Sequence, residues 1–585
     1  MSESKPHVDP IAGGEAARVA AALQTPKEHR FVGHAIVVAI MTLLSRFTGL
    51  IRDSVLAAVL GLSAIADAFA IGFLIPNLFR RLFGEGALTA AFIPVYTDLL
   101  RTDKLAARRL ATLCIAAMLV FLGLLVLVGE AVLAWMLAAF RFTEETSLAL
   151  KLTMIMLPYM PMICIVALVG GILQVHGKFG APAAAPIFLN IVMIIGTIVA
   201  AQLAQDDVRQ AVVIISYTIL IAGLVQLVWQ IGVMLRVEKF DARYMEARPA
   251  LRQLLVMAVP MFIGLGVFQI NTLFDYVIAF GLSAKEGGTE QLHLLGMTLD
   301  YPVSTGDVAA LQWAQRLYQF PLGVFGLAVA TAIFPALARA AGEVGSGLRV
   351  AGSELPEPGT RNPEPTTPTP SAFQTILHHG LRLTFFIGLP ASVGLILLRI
   401  PITRLIYERG EFSLADSQRV AFIMIGYSAV VWAYSMTHVL TRAFYAVKDA
   451  RTPLRVSLWM VGVNLALNLA LVWPLGVAGL AWASAAAAAL QVIMLMRAIR
   501  RYAPHPIGAD VLRSWKLTVL LTLAMAAVLL PAALIWDAAA MTRTQSALQL
   551  LLLLPIGAGL FLGGAYLLHA DELKWLKRRR KETRS

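Results

Sequence analysis

Charge is scarce in this chain. Only 14% of its 585 residues are Asp, Glu, Lys or Arg, against about a quarter in an ordinary soluble domain. With 58% hydrophobic residues, that shortage excludes the string of soluble domains that length alone would suggest. Cysteine is nearly absent as well. Cys114 and Cys164 lie inside apolar runs without metal-ligand spacing, which leaves no disulfide framework and no zinc site; packing is the reading that remains. No Walker loop, nucleotide fingerprint or nucleophile with a positioned base is present. No catalytic residue, cofactor or metal is therefore expected, and the chain does not read as an enzyme. Residues 1–30 are polar and carry both signs of charge, so no cleavable signal peptide is expected there. Lys and Arg outnumber Asp and Glu by 48 to 35. The surplus sits in loops and at the C-terminus, the positive-inside pattern of a membrane protein, and points to no nucleic-acid partner.

What the chain has is long apolar blocks separated by short charged loops. A helical span needs about 20 apolar residues, and counting on that basis gives about fourteen blocks, from one near Met41 to one near Leu554. The fold expected is an all-α polytopic membrane protein: two six-helix halves followed by two further helices. The divisions read are a cytoplasmic tail at 1–30, a first half at 31–240, a second half at 241–510, two added helices at 511–570 and a basic tail at 571–585. Residues 342–371 contain Pro-Glu-Pro-Thr-Thr-Pro-Thr-Pro and read as a disordered cytoplasmic linker. Basic loops alternate with mixed or acidic ones, which places both termini inside.

A weak repeat relates the halves. Phe92-Ile93-Pro94 resembles Ile333-Phe334-Pro335, and Gly177-Lys178 with Pro182 and Asn190 resembles Lys448 with Pro453 and Asn464. Transporters built from repeats bind substrate between them.

The informative charges lie in the first two blocks: Arg46, Arg52, Asp53, Asp67, Arg80, Arg81 and Glu85. At about 2.5–3.5 kcal/mol each for a central charge, lipid-facing placement would cost of order 20 kcal/mol. They must face a wet cavity, pair, or lie near an interface. Arg81 and Glu85 are four apart and can pair. Arg46 and Asp53 are two turns apart on one face. Arg52 adjoins Asp53, but neighbours in sequence diverge around a helix. Arg80 has no obvious local partner. Arg52 and Arg80, with Arg316 in the second half, are therefore the ligand candidates. Guanidinium forks match phosphate oxygens and stay charged when partly dehydrated, so the cavity favours a diphosphate. Gly49, Pro76, Gly84 and Gly86 are positions where these helices could loosen. A weaker group, Asn271, Asp275, Asn464 and Asn468, offers oxygen ligands of the kind a hard monovalent cation takes; helix–helix hydrogen bonding is the bland reading of each. His438, near Trp432 and Tyr434, is either a titratable element or packing.

At these residues the chain resembles the MurJ/MviN lipid II flippase family, within the multidrug/oligosaccharidyl-lipid/polysaccharide exporter group. The matching text is Ser45-Arg46 through Arg52-Asp53, Ala66-Asp67-Ala68-Phe69, Pro76-Asn77-Leu78-Phe79-Arg80-Arg81 with Glu85-Gly86-Ala87, Gln319-Phe320-Pro321-Leu322-Gly323, and Ala443-Phe444-Tyr445-Ala446. The resemblance implies lipid II as substrate, flipped from the cytoplasmic to the periplasmic leaflet by alternating access in the bacterial inner membrane. Coupling would be to a monovalent cation gradient, the membrane potential or consumption of product, and the partners membrane lipids and the cell-wall synthesis machinery. It makes Arg46, Arg52, Arg80 and Arg316 substrate-binding and gives Asp53, Asp67, Asn77, Arg81 and Glu85 gating or pairing roles. Relatives often have Ala-Asp-Arg where this chain has Ala314-Gln315-Arg316, which leaves Arg316 without its adjacent carboxylate. Three alternatives stay open: an exporter of another lipid-linked oligosaccharide, a non-transporting scaffold, and a membrane glycosyl- or acyltransferase, for which no acid/base constellation stands out.

Overall fold

In the computed structural model of the chain, the residues described are 26–84, 87–205, 207–284, 291–294, 297–350, 371–535 and 541–575. The first half runs α1 (Pro26–Leu60), the broken run α2 (Ala64–Gly72), α3 (Leu74–Gly84) and α4 (Ala87–Thr102), then α5 (Lys104–Ala139), α6 (Glu144–Met156), α7 (Tyr159–Val175), α8 (Gly180–Leu203) and α9 (Val208–Met234). The second half runs α10 (Arg248–Gly281), α11 (Asp307–Pro321), a π-helical turn (Leu322–Gly326), α12 (Leu327–Val350), α13 (Ala372–Leu397), α14 (Arg399–Tyr407), α15 (Leu414–Ser428), α16 (Val431–Ala446), α17 (Arg451–Leu475) and α18 (Val477–Ala498). Two more helices follow, α19 (Ala509–Ile535) and α20 (Arg543–Leu567).

Among the described residues nine helical spans, one of them formed by α15 and α16 together, are long and apolar enough to cross a membrane, ten if α6 and α7, bent by about 40°, form one span. The roughly fourteen blocks read from hydropathy are therefore not all matched by such spans among the described residues. The loops between α10 and α11 add an element that apolar counting misses, an antiparallel hairpin of β1 (Gln291–Leu294) and β2 (Met297–Asp300) with Gln291 opposite Asp300. Two boundaries move. The first helix starts at Pro26, a residue suited to a first helical turn, and α12 continues to Val350, so residues 342–350 of the stretch read as linker are helical. Residues 1–25, 351–370 and 576–585, with most of both tails and the linker, lie outside the described residues.

The sequence repeat corresponds to one turn built twice. Gly177 closes α7 with φ +72°, and Lys448 closes α16 with φ +62°. In the first turn Gly177 N donates to Gln174 O (3.0 Å) and Lys178 N to Leu173 O (2.8 Å); in the second Lys448 N donates to Tyr445 O (3.0 Å) and Asp449 N to Phe444 O (2.9 Å). Both are Schellman caps, and the next helix starts three residues on in each case. Packing repeats too: α2 lies on α6 as α11 lies on α15, and α8 pairs with α9 as α17 with α18.

The hydrophobic cores show how the halves join. One core takes residues from both, among them Leu56, Ala57, Leu60 and Phe69 with Val308, Leu311, Trp313, Tyr407 and Phe412. All lie toward the end that carries the loops at 61–63, 301–306 and 408–413, here the closed end. Toward the opposite, basic end, the described residues form two separate cores. One belongs to α4, α5 and α7 with the start of α10, the other to α12, α13, α16 and α18. A fourth binds α19 and α20 to α13 and α14.

At the basic end a polar clamp ties the first half together. Glu238, in the loop after α9, accepts from Arg108 Nε (2.8 Å), Tyr96 Oη (3.0 Å) and Lys239 N (3.1 Å). Tyr96 Oη also meets His176 Nε2 at 3.0 Å. Burial works against the Glu238 charge, but these hydrogen bonds and the Arg108 charge outweigh it and hold the carboxyl below its ordinary value. A carboxylate with a depressed folded-state pKa stabilises fully above its unfolded pKa, about 4.3, and loses that contribution as pH falls through the folded value. Glu238→Gln should destabilise the protein at pH 7 by about 1–3 kcal/mol, the cost of buried partners left unsatisfied. The gap between wild type and variant, read by thermal melting in detergent, should shrink toward pH 3–4, within the range where an ordinary Glu protonates.

Candidate functional site

The two halves meet through buried polar bonds near the closed end. Asp67, fully buried on α2, accepts from Gly306 N (2.7 Å) and Ala309 N (2.8 Å). Its carboxylate thus caps α11 of the opposite half, satisfying amides that a helix start leaves without partners and meeting the positive end of the helix dipole. Gly306 has φ +87° and lies so near the Leu62 backbone that a Cβ would collide with it. Gly410, φ +54°, is pressed the same way onto the Ala58 carbonyl, beside the bond from Glu411 N to Ala58 O (2.9 Å). Arg409 also donates to Ser54, and Ser54 to Ile406 O.

Deeper along α1 the charges expected to stand alone are partnered. Arg52 Nε and Nη2 both donate to Asp53 Oδ1 (3.0 and 2.6 Å), and Nη1 donates to Asn190 Oδ1 (3.0 Å). Spacing along a helix had argued against the Arg52–Asp53 pair. The correction has a simple cause: the Cβ atoms diverge, but the long Arg side chain folds back where both residues are buried between helices. Asn190 holds this geometry, donating in turn to Ser45 O and Thr48 Oγ1, both at 3.0 Å. The Cβ position of Gly49 lies at ordinary contact distance from Asn190, 3.4 Å, and α1 runs unbroken through Gly49; the break comes at Phe73, between α2 and α3.

Asp53 does not pair with Arg46 as spacing suggested. Its second oxygen faces Arg316 Nε of α11 at 3.5 Å. Asp53 therefore supplies, from the other half, the carboxylate that Gln315 does not provide beside Arg316. Arg46 has no carboxylate partner among the described residues, and its guanidinium rests on Gly323 of the π-helical turn. Arg80, expected without a local partner, donates from Nε to Asn77 Oδ1 (3.0 Å). Glu85, and hence its pairing with Arg81, lies outside the described residues. Arg52, Asp53 and Arg316 are short of full exposure, with side chains 11%, 7% and 24% accessible. The least buried of the three is the one that opens to space.

That space is a narrow cleft between α2–α3 of the first half and α10–α11 of the second. Its polar lining is Asn77, Arg81, Thr272, Tyr276, Gln312, Gln315, Arg316 and Gln319. Of the four expected ligand arginines Arg316 lines it; Arg46, Arg52 and Arg80 do not. Arg81, assigned to pairing, does line it. Sequence reasoning missed the amides of α11, although Gln312, Gln315 and Gln319 recur at helical spacing around Arg316.

The oxygen-rich group in the second half partly assembles. Asn468 Nδ2 donates to Asp275 Oδ1 (2.6 Å), Ser484 Oγ to Asp275 Oδ2 (3.3 Å) and Asn464 Nδ2 to Ser484 Oγ (3.3 Å). Asn468 Oδ1 is buried without a hydrogen-bond partner. Asn271 makes no hydrogen bond among the described residues. Asp275, Asn464 and Asn468 are joined by Ser484, which apolar context hid. His438 lies on α16, four residues before Arg442, which sits 5.7 Å over the Phe334 ring.

A multi-pass helical bundle in two related halves, with a guanidinium-lined cleft between them, is the architecture of a membrane transporter. Solved structures with this fold include one titled lipid II flippase MurJ, inward closed conformation. It has a TM-score of 0.69 and 22% identity and covers 92% of this chain and 99% of that one. An inward-facing multidrug resistance MATE family transporter of the MOP superfamily is similar at TM-score 0.58 and 14% identity, covering 80% and 98%. A family model described as lipid II flippase MurJ matches residues 56–556. A probable lipid II flippase MurJ of Vibrio cholerae is 32% identical over 578 residues, 94% of this chain and 98% of that protein. One of Haemophilus influenzae is 31% identical, covering 79% and 84%. The chain belongs to the lipid II flippase MurJ family.

The Asp67 cap gives a direct check on the closed end. Asp67→Ala should cost about 0.5–2 kcal/mol, as for other caps, and loosen the seam between the halves. A cysteine placed at Leu62 should then react faster with a polar maleimide than in the parent. An unchanged rate would show that the seam does not depend on this carboxylate.

Proposed function

We propose that this protein carries lipid II, undecaprenyl diphosphate bearing the peptidoglycan disaccharide-pentapeptide, from the cytoplasmic to the periplasmic leaflet of the bacterial inner membrane. The observation that carries the reading is the split core. The halves share one core at the closed end, separate toward the basic end, and hold arginines in the cleft between them. A guanidinium in a partly dehydrated cleft suits a diphosphate, which can engage more than one fork. The basic end faces the cytoplasm in this reading, with both termini, because short loops rich in Lys and Arg stay inside. Cargo enters from that side. Rocking of the halves then parts the Asp67, Ser54 and Ala58 contacts and opens the other side. The prenyl tail stays in lipid along the apolar faces of α19 and α20, where Leu520, Leu523, Leu534, Leu551 and Leu567 are exposed. The chain acts as a carrier and makes or breaks no bond.

Two charges would hold the headgroup in the cleft, Arg81 and Arg316. Arg46, Arg52 and Arg80 supply the surrounding positive potential, while Asp53 orients Arg316 and Arg52. Asp275, Asn464, Asn468 and Ser484 are the residues that would hold a monovalent cation, since Asn468 leaves a buried oxygen without a donor and oxygen ligands suit a hard ion. Such an ion would couple transport to its gradient. Partners in cell-wall synthesis consume the product.

The test is translocation of labelled lipid II in proteoliposomes. Arg316→Ala should slow it at least tenfold, because removing one member of a desolvated charge pair costs about 2–5 kcal/mol, while the amount of folded protein in the membrane stays near wild type. Full activity in that variant, or no translocation by wild type, would count against the reading. Asp275→Asn should abolish any stimulation by an imposed cation gradient and leave lipid II binding intact.

A further inference from the structure

Gln312, Arg316 and Gln319 are spaced i, i+4 and i+7, so they form one stripe on α11, and all three line the cleft. They are partly accessible, whereas the residues flanking them on the helix, from Leu311 through Trp313 to Gln315 and Leu317, are buried apart from Gln312 itself. Gln315 is different. It is buried, and its Nε2 donates to Tyr427 Oη at 2.9 Å, a bond that fixes α11 against α15. Gln312 makes no hydrogen bond among the described residues. Gln319 lies one turn beyond Arg316 on the same face, and as a primary amide it has two donor hydrogens and an acceptor oxygen. Across the cleft, Asn77 accepts from Arg80 through its oxygen, which leaves its two N–H donors for other use. Lipid-facing exposure would be a poor setting for these amides, and their face is the one turned to Arg81 and the first half.

We propose that this stripe is a sugar subsite: Arg316 and Arg81 take the diphosphate, while Gln312 and Gln319, with Asn77 opposite, recognise the neutral N-acetylated hexosamine attached to it. The proposal rests on the transport reading above and assigns the parts of its cleft. Two features select the ligand class. Amides offer donors and acceptors together, matching ring hydroxyls and an acetamido group, which also offer both. Among the described residues no carboxylate lines the cleft, and its guanidiniums repel a cation, so a sugar with a free, protonated amine is disfavoured. The space between these side chains is narrow as it stands, so in this reading the diphosphate and the adjoining sugar enter as the two halves part, and the remaining sugar and peptide project beyond. A site built to hydrogen-bond a polar group discriminates sharply against a ligand that lacks it, because its own polar atoms are then left unpaired.

Binding to the full-length protein in nanodiscs, measured with two probes, tests this. One is a short-chain polyprenyl diphosphate; the other is the same lipid with a single N-acetylhexosamine on the diphosphate. Gln312→Met and Gln319→Met, close to isosteric and apolar, should each weaken the sugar-bearing probe about threefold to tenfold, the range for one net hydrogen bond. They should leave the bare diphosphate unchanged, which also certifies that the variants are folded. Arg316→Ala should weaken both probes. Equal loss of both probes in the Gln variants, or no loss of either, overturns the sugar subsite while leaving the transport reading in place. Failure of wild type to bind either probe overturns both.

Discussion

One carboxylate shared by two guanidiniums holds this structure together at bilayer depth. Asp53 takes both Nε and Nη2 of Arg52 on its own helix and faces Arg316 from the opposite half. Charges in a membrane protein must be paired or kept wet, and here pairing across the seam joins two bundles that otherwise have separate cores toward the basic end. The arrangement is undercompensated. Two guanidiniums face this one carboxylate, and Arg46 lies on the same helix as Arg52 and Asp53; in the proposed reading an anion entering the cleft adds a second counter-charge. In that reading substrate binding and the contact between the halves draw on the same residues, and a cargo that binds differently to two arrangements of the bundles shifts the equilibrium between them.

Much of the fold could be read from composition and pattern. Long apolar runs admit only helices or closed barrels in lipid, and the basic loops recur on alternate sides. The repeat was visible in Gly177-Lys178 and Lys448, and its physical content is a pair of helix caps of one geometry. What stayed hidden were features that apolar counting does not weigh: the hairpin at 291–300, the break at Phe73 and the continuation of α12 to Val350.

The sequence pointed to buried charges, but of the four arginines expected to bind ligand only Arg316 lines the cleft, and Arg81 and the amides of α11 line it as well. Arginines in apolar helices announced themselves, but spacing along one helix could not foresee that Asn190, some 140 positions away, would hold Arg52, or that Asp67 would cap a helix of the other half. Long side chains defeat rules based on Cβ direction, as the adjacent Arg52–Asp53 pair demonstrates. The substitution of Gln315 for a common acidic residue looked like a missing counter-charge. In three dimensions Asp53 supplies that charge, and Gln315 serves packing through Tyr427.

A cryo-EM map of the protein with lipid II bound is the most direct measurement of the central claim, that an anionic headgroup is held between the two halves by guanidiniums at bilayer depth. The account predicts diphosphate density in the cleft within hydrogen-bond reach of Arg316 and Arg81, with the first sugar along α11. Headgroup density outside the seam, with Arg316 still engaged only by Asp53, would contradict it.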